Sequence, residues 1–237
     1  SIRVAILEDH QSIIDGYIFR LQDMPEIKIV ATAHWGDDLK PMLERAKVDV
    51  LVLDLNIPTS AENNNLFPIL HTLPSLLAQH PDLSVLVISM ITSLPLIEAL
   101  EDTGVSGYIS KDDSESIEHL GKIISLIANG GVFFNRGTHR LPRLSQPGIQ
   151  LTHRQIEVLS LCASFPDESS QMLAKRTGVS SSTVRNLLST TYSRLGVRTH
   201  AAAIARAIAL GLIPSRQVTL NEVPPKGRSR SQRSKKS

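Results

Sequence analysis

Residues 48–58 read Val48-Asp49-Val50-Leu51-Val52-Leu53-Asp54-Leu55-Asn56-Ile57-Pro58. The run is branched, apolar and too short for a helix of ordinary length, and it breaks at a carboxylate with a proline close behind, which is the pattern of a strand covered on both faces. Runs of the same kind stand at Ile2–Leu7, Ile27–Ala33, 83–89 and 105–110. Helix-length segments separate them. Ile13, Ile14, Tyr17 and Leu21 share one face within 11–23, and Ile117, Leu120, Ile123, Ile124 and Ile127 form a broad stripe within 113–129. Five strand and helix units in alternation predict an α/β domain with a doubly wound, five-stranded parallel sheet, whose ligand site lies at the carboxyl ends of the strands.

The polar residues fall at those ends. Glu8 and Asp9 follow the first strand, Asp54 the third, Ser89 closes the fourth and Lys111 follows the fifth. Carboxylates gathered in one place repel unless a cation or a proton intervenes, and an oxygen-only set suits a hard divalent ion such as Mg2+. A carboxylate can accept a phosphoryl group, while a lysine and a hydroxyl can steady the charge that develops on its oxygens. His10, next to the acidic pair, either reaches a phosphoryl oxygen or metal-bound water, or stands in solvent.

At 237 residues the chain has room for two domains, and its charge is divided between them. Residues 1–133 carry 8 Lys and Arg against 19 Asp and Glu, a net of −11; residues 134–214 carry 10 against 3, a net of +7; residues 215–237 carry 7 against 1, a net of +6. An acidic front and a basic rear point to a polyanionic partner for the second half, double-stranded DNA first. No apolar run reaches the length of a membrane span, and the first residues lack the pattern of a secretory leader, so a cytoplasmic protein without a membrane partner is expected. The single cysteine, Cys162, lies in an apolar helical pattern and reads as a buried free thiol. The first strand is not followed by a Gly-rich dinucleotide turn, and there is no GxxxxGK phosphate loop, which argues against a nucleotide or phosphoester enzyme.

After Gly130-Gly131 the sequence turns rich in turn formers and basic residues, which marks a linker over 134–148. Thr152 can cap a helix carrying Ile156, Val158, Leu159 and Leu161. A second helix fits 169–176 and ends before Gly178, a third fits 182–195 with Val184, Leu188, Tyr192 and Leu195 on one side, and an alanine-rich fourth fits 199–210. The second helix, its glycine turn and the polar third helix predict a helix-turn-helix within a small all-α, four-helix domain over 149–214, with another small basic helical module as the alternative on charge and spacing alone. Residues 215–237 read as a basic, disordered tail.

The front segment, 1–133, resembles the receiver domain of a bacterial two-component response regulator, a flavodoxin-like fold, on Glu8-Asp9, on Asp54 in its strand, and on Ser89, Tyr108 and Lys111. The rear segment resembles a LuxR-type output domain on Leu151-Thr152-His153-Arg154-Gln155-Ile156-Glu157-Val158-Leu159, on Leu173-Ala174, on 179–186 and on Leu195-Gly196-Val197; the order of the two is that of the NarL/FixJ group. The resemblance implies a DNA-binding transcriptional regulator and not an enzyme. By it, Asp54 is the phosphoacceptor; Asp9 and Asp54 ligate Mg2+ directly, Glu8 through water, and Asn56 through its backbone carbonyl. Ser89, Tyr108 and Lys111 would be the residues that respond to the phosphoryl group. Arg185, Asn186 and Ser189 would face bases, and Lys175, Ser182 and Thr183 phosphates. Implied partners are DNA, a histidine kinase or other phosphodonor, a second copy of the chain, and RNA polymerase. A regulator that works without phosphorylation, controlled by ligand, partner or dimerisation, is the alternative. The sequence departs from the family pattern at Leu187 and Thr191, and in its longer, Asn-rich loop at 59–65, which is either a lid beside Asp54 or a plain exposed loop.

Overall fold

The structure, a computed structural model, describes residues 1–135 and 151–215. The expected linker beyond Asn135 and the expected tail beyond Ser215 lie outside these residues. Among the described residues, six strands form one parallel sheet in the order β2-β1-β3-β4-β5-β6: β1 Ile2–Leu7, β2 Ile27–Ala33, β3 Val50–Leu53, β4 Ser84–Ser89, β5 Gly107–Ser110 and β6 Phe133–Phe134. The expected five strands are therefore corrected to six. The sheet also runs past the expected boundary at 133, since Gly107 and Tyr108 pair with Phe133 and Phe134, and Asn135 N donates to Tyr108 O at 2.9 Å. Two residues after a glycine pair give too little pattern to read as a strand; the free edge of β5 makes them one.

Alternate residues of each strand enter different cores, as the pleat requires. Val4, Ile6, Val50, Val52, Leu86, Ile88 and Ile109 meet Ile14, Tyr17 and Leu21 of α1 (Gln11–Leu21), together with Leu120, Ile123, Ile124 and Ile127 of α6 (Leu120–Ala128). The opposite residues, Ala5, Leu7, Leu51, Leu53, Val85 and Val87, meet α2 (Leu39–Arg45), α3 (Ile69–Gln79) and α4 (Leu94–Asp102). The stripe expected over 113–129 is two helices, since α5 (Ser114–Glu118) and α6 are separated at His119. A 3-10 turn, Gly36–Asp38, follows β2.

The second unit consists of α7 (His153–Ser164), α8 (Ser170–Thr177), α9 (Ser181–Leu195) and α10 (His200–Ala209). Each begins at a hydroxyl cap: Thr152, Ser169, Ser180 and Thr199 accept from backbone N–H groups of their first turns. Gly178 and Gly196, at φ 67° and 66°, end α8 and α9 in the left-handed conformation that a side chain would disfavour. Val158, Leu161, Cys162, Leu173, Ala174, Val184 and Leu188 form the unit's own core. Burial pushes the Cys162 thiol up to about 12, as expected of an inert core cysteine.

The two units are packed together. Ile156, Leu159, Leu195, Ala203, Ala207, Leu212 and Ile213 join the apolar cluster that covers the α3 side of the sheet. His71 Nδ1 on α3 lies 2.7 Å from Glu157 Oε1 on α7, and Ser93 Oγ donates to Gly211 O at 2.6 Å. No helix of the described residues is long and apolar enough to cross a membrane.

Candidate functional site

The order of the sheet reverses between β1 and β3, so their carboxyl ends open into one crevice. Backbone bonds set the depth of its residues: Glu8 N donates to Ala33 O at 3.1 Å, Asp54 N to Leu7 O at 3.0 Å and Lys111 N to Ser89 O at 2.9 Å. Lys111 Nζ then reaches Glu8 Oε2 at 2.7 Å and Asp54 Oδ2 at 2.8 Å. The side chains of Glu8, Asp54 and Lys111 are 2%, 3% and 13% exposed, so this triad is mostly shielded from water. Burial, followed by the charge of Asp54, pushes the Glu8 carboxyl up against the pull of Lys111, to about 6. Burial opposes the Lys111 ammonium, but Asp54 and Glu8 outweigh it and hold the pKa of Lys111 above its usual value.

Asp9 is half-buried at the rim, with its Oδ1 2.7 Å from Nδ1 of the exposed His10. Glu8, Asp9 and His10 form a group whose ligand atoms lie within 4.8 Å of one another. His10 is thus both exposed and turned to the acidic pair; the field of the two carboxylates outweighs its partial desolvation and raises its pKa. Asp54 Oδ1 and Asn56 Oδ1 are buried without a hydrogen-bond partner. An orphaned carboxylate oxygen beside further carboxylates fits a hard cation. Ser89 is fully buried and Tyr108 is 1% exposed. Burial and the charge of Asp54 raise the phenol pKa of Tyr108 well above its ordinary value. Glu8, Asp9, Asp54, Ser89, Tyr108 and Lys111 are therefore brought to one end of the sheet. Tyr17 is an addition: it reads from the sequence as a plain core position on α1, yet Glu8 and Asp54 add to the burial that raises its pKa.

The second candidate surface is α9. Arg185, Asn186 and Ser189 are exposed on one side, and Ser182 and Thr183 are exposed at its start, while Val184, Leu188, Thr191 and Leu195 face inward. Lys175 is exposed in the last turn of α8. Ser182 Oγ and Thr183 Oγ1 lie 2.7 and 2.8 Å from Ser180 Oγ, so the cap cluster orients both hydroxyls. The two departures from the family pattern repack locally: Leu187 is half-buried against the second core, and Thr191 Oγ1 donates to Leu187 O at 2.6 Å. In α10, Ala203 and Ala207 are buried, whereas Ala201, Ala205 and Ala209 are exposed.

Gln155 is a functional candidate that residue type alone did not reveal. It closes a capping box with Thr152, accepts from Arg194 Nη1 at 3.0 Å and donates to Thr190 Oγ1 at 3.0 Å, so one buried amide ties the start of α7 to the outer side of α9. The spacing of Thr152 and Gln155 signals the capping box; the two bonds to α9 join residues 35 and 39 positions away.

The receiver-domain profile of response regulators matches residues 4–122. Over most of both chains, the protein is 26% identical to the transcriptional regulatory protein DegU of Brevibacillus brevis (91% of this chain, 96% of that one). It is also 26% identical to the DNA-binding transcriptional activator DevR/DosR of Mycobacterium tuberculosis (86% and 94%). Among solved structures, RcsB of Salmonella enterica serovar Typhimurium, bound to promoter rprA in the presence of phosphomimetic BeF3-, shares the fold with a TM-score of 0.58 at 19% identity, over 88% of this chain and 98% of that one. With a receiver profile over half its length, and with likeness over most of its length to transcriptional regulators, the chain belongs to the response regulator receiver family and joins its receiver domain to a LuxR-type helix-turn-helix domain.

Proposed function

We propose that the protein is a transcriptional response regulator in which phosphorylation of Asp54 controls DNA binding by α9. The observation that carries the reading is the Lys111 bridge to Glu8 and Asp54. It leaves one buried oxygen of the acceptor carboxylate without a partner, beside residues able to hold a divalent cation. Asp9 and Asp54 would ligate Mg2+ directly, Glu8 through water, and Asn56 by its backbone carbonyl. The ion would neutralise charge on the transferring phosphoryl oxygens. Asp54 supplies the attacking oxygen, and the donor's leaving group departs with the former P–O or P–N electron pair. Lys111 is close enough to follow the new charge, and Ser89 and Tyr108 stand behind it as the buried residues that respond.

A histidine kinase or a small phosphodonor would supply the group. The domains are read as a receiver that runs to the end of β6 and an output domain over 149–214. Exposed Arg185, Asn186 and Ser189 would read base edges, with Arg185 suited to guanine and Asn186 to adenine. Lys175, Ser182 and Thr183 would set register on phosphates. Two copies would place two α9 helices on two half-sites, with the exposed Ala201, Ala205 and Ala209 of α10 small enough for close approach.

The test is incorporation of phosphate from acetyl phosphate with and without Mg2+, followed by DNA binding of the modified protein. Mg2+-dependent labelling that disappears in Asp54→Asn and tightens DNA binding supports the reading. Labelling that survives Asp54→Asn, or that leaves DNA affinity unchanged, overturns it.

A further inference from the structure

The Asn-rich loop after β3 keeps Ala61, Glu62, Asn64 and Asn65 exposed but is hydrogen-bonded along its length. Residues 57–67 fold into an arch whose two sides are hydrogen-bonded: Phe67 N donates to Ile57 O at 2.8 Å, Thr59 N to Asn65 O at 2.8 Å and Ser60 N to Asn63 O at 3.1 Å, around an antiparallel bridge between Pro58 and Leu66. The arch starts three residues after Asp54 and continues directly into α3. It is strapped to the turn after β2, where Gly36 N donates to Pro58 O and Asp37 N to Thr59 O, both at 2.9 Å. Phe67 sits so close over Gly36 that a Cβ there would clash with its ring. A loop bonded on both sides and packed this tightly transmits a displacement instead of absorbing it.

Its far side holds the second domain. Asn63 Nδ2 donates to Ser164 O at 3.1 Å, and Ser164 Oγ donates to Leu66 O. Ser164 is the last residue of α7 and is 1% exposed. One buried residue is therefore held at its carbonyl and its hydroxyl by two residues of the returning limb of the arch, Asn63 and Leu66. The adjoining Phe165 ring lies 3.7 Å beneath Arg176 of α8, which pairs with Glu168 at 2.6 Å and feels the charge of Asp37 in the receiver. The junction leaves Arg185, Asn186 and Ser189 of α9 exposed.

We propose that the 57–67 arch is the mechanical link between the Asp54 pocket and the DNA-binding domain, with the Asn63–Ser164–Leu66 clamp as its coupling contact. The proposal rests on the phosphoryl reading above and specifies its route.

Asn63→Asp is the discriminating variant: it keeps the side-chain oxygen that accepts from Asn65 N at 3.1 Å, yet it sets an acceptor against the Ser164 carbonyl. Ser164→Ala removes the other half of the clamp. The full-length protein and both variants are compared in two assays: hydrogen exchange over 57–67 and 160–166, and DNA affinity with and without beryllofluoride and Mg2+. Expected are faster exchange at the junction in both variants, and a beryllofluoride effect on DNA affinity of about tenfold or more in the parent that falls to within about twofold of unity in the variants. Binding of beryllofluoride, followed by fluorescence of the single tryptophan, Trp35, should be retained in the variants. A parent that responds and variants that respond equally overturn the arch alone. A parent whose DNA affinity ignores beryllofluoride overturns the phosphoryl reading and the arch with it. Unchanged exchange at the junction in both variants overturns the clamp whatever the DNA result.

Discussion

Lys111→Met removes the cation that stands between two shielded carboxylates while keeping most of the side chain's volume. Removing one member of a buried ion pair generally costs about 3–5 kcal/mol, because the remaining charge is left uncompensated. Here an escape route sets the ceiling. Glu8 already sits at about 6, and without Lys111 it would take up a proton in the folded state. Holding a neutral Glu8 at pH 7, against its ordinary value of 4.5, costs about 3 kcal/mol at roughly 1.4 kcal/mol per pH unit, and at pH 5 it costs under about 1 kcal/mol. The variant should therefore lose about 3 kcal/mol at pH 7, or roughly 10 °C in Tm, and regain most of it at pH 5. The sign follows from linkage: a carboxyl with a raised folded-state pKa binds its proton more tightly folded than unfolded. Its contribution is present below the ordinary value and is lost as pH rises through the folded value, a window of 4.5 to about 6 in the parent and higher in the variant. Urea unfolding in chelator at pH 5 and 7, followed by circular dichroism, measures the difference, and added Mg2+ should narrow the pH 7 gap. A variant within about 0.5 kcal/mol of the parent at both pH values would show that Lys111 does not hold the two carboxylates together.

Gln155→Ala should cost the second domain about 2 kcal/mol, through the lost capping-box bond and the bonds to Thr190 and Arg194, and should weaken DNA binding about tenfold; Gln155→Glu, which keeps the acceptor for Thr152 N and Arg194, should recover most of both. Equal affinities for the three proteins would remove Gln155 from any part in placing α9. Gly36→Ala drives a methyl group into the Phe67 ring and should cost about 1–3 kcal/mol, read as a lower urea midpoint, whereas a neutral result would mean the ring moves aside freely. Burial alone would raise the Glu157 carboxyl, but its bonds to His71 and Arg154 hold it below its ordinary 4.5. Its contribution to the α3–α7 contact is therefore complete above that value and is lost as pH falls below it. Hydrogen exchange along α7 should quicken under acid and lose this dependence in Glu157→Gln; identical acid profiles would count against the contact.

The acidic pocket was legible because its chemistry is tied to strand ends. A parallel sheet forces long apolar runs, each run must stop at the crevice, and the polar residue that stops it is thereby placed. Glu8, Asp9, Asp54, Ser89 and Lys111 can be gathered in this way from the sequence alone. The reader helix was legible for a similar local reason: hydroxyl caps at Thr152, Ser169, Ser180 and Thr199, and glycines at 178 and 196, mark the ends of the helices. Phe133–Phe134 was missed as a strand because a two-residue edge has no periodicity and exists only where β5 offers unpaired backbone.

By itself, then, the sequence determined a parallel α/β unit followed by a helical unit, the polar residues at the strand ends, and the face of α9 left to solvent, since all three follow from period, charge and caps within a few neighbouring residues. Tertiary structure alone decided that Lys111 pairs with both Glu8 and Asp54, that Gln155 reaches α9, and that the 57–67 arch grips Ser164. These contacts join residues that are 35 to 103 positions apart. Which of many possible polar partners meet over such separations is set by how whole helices pack, and no local pattern encodes that.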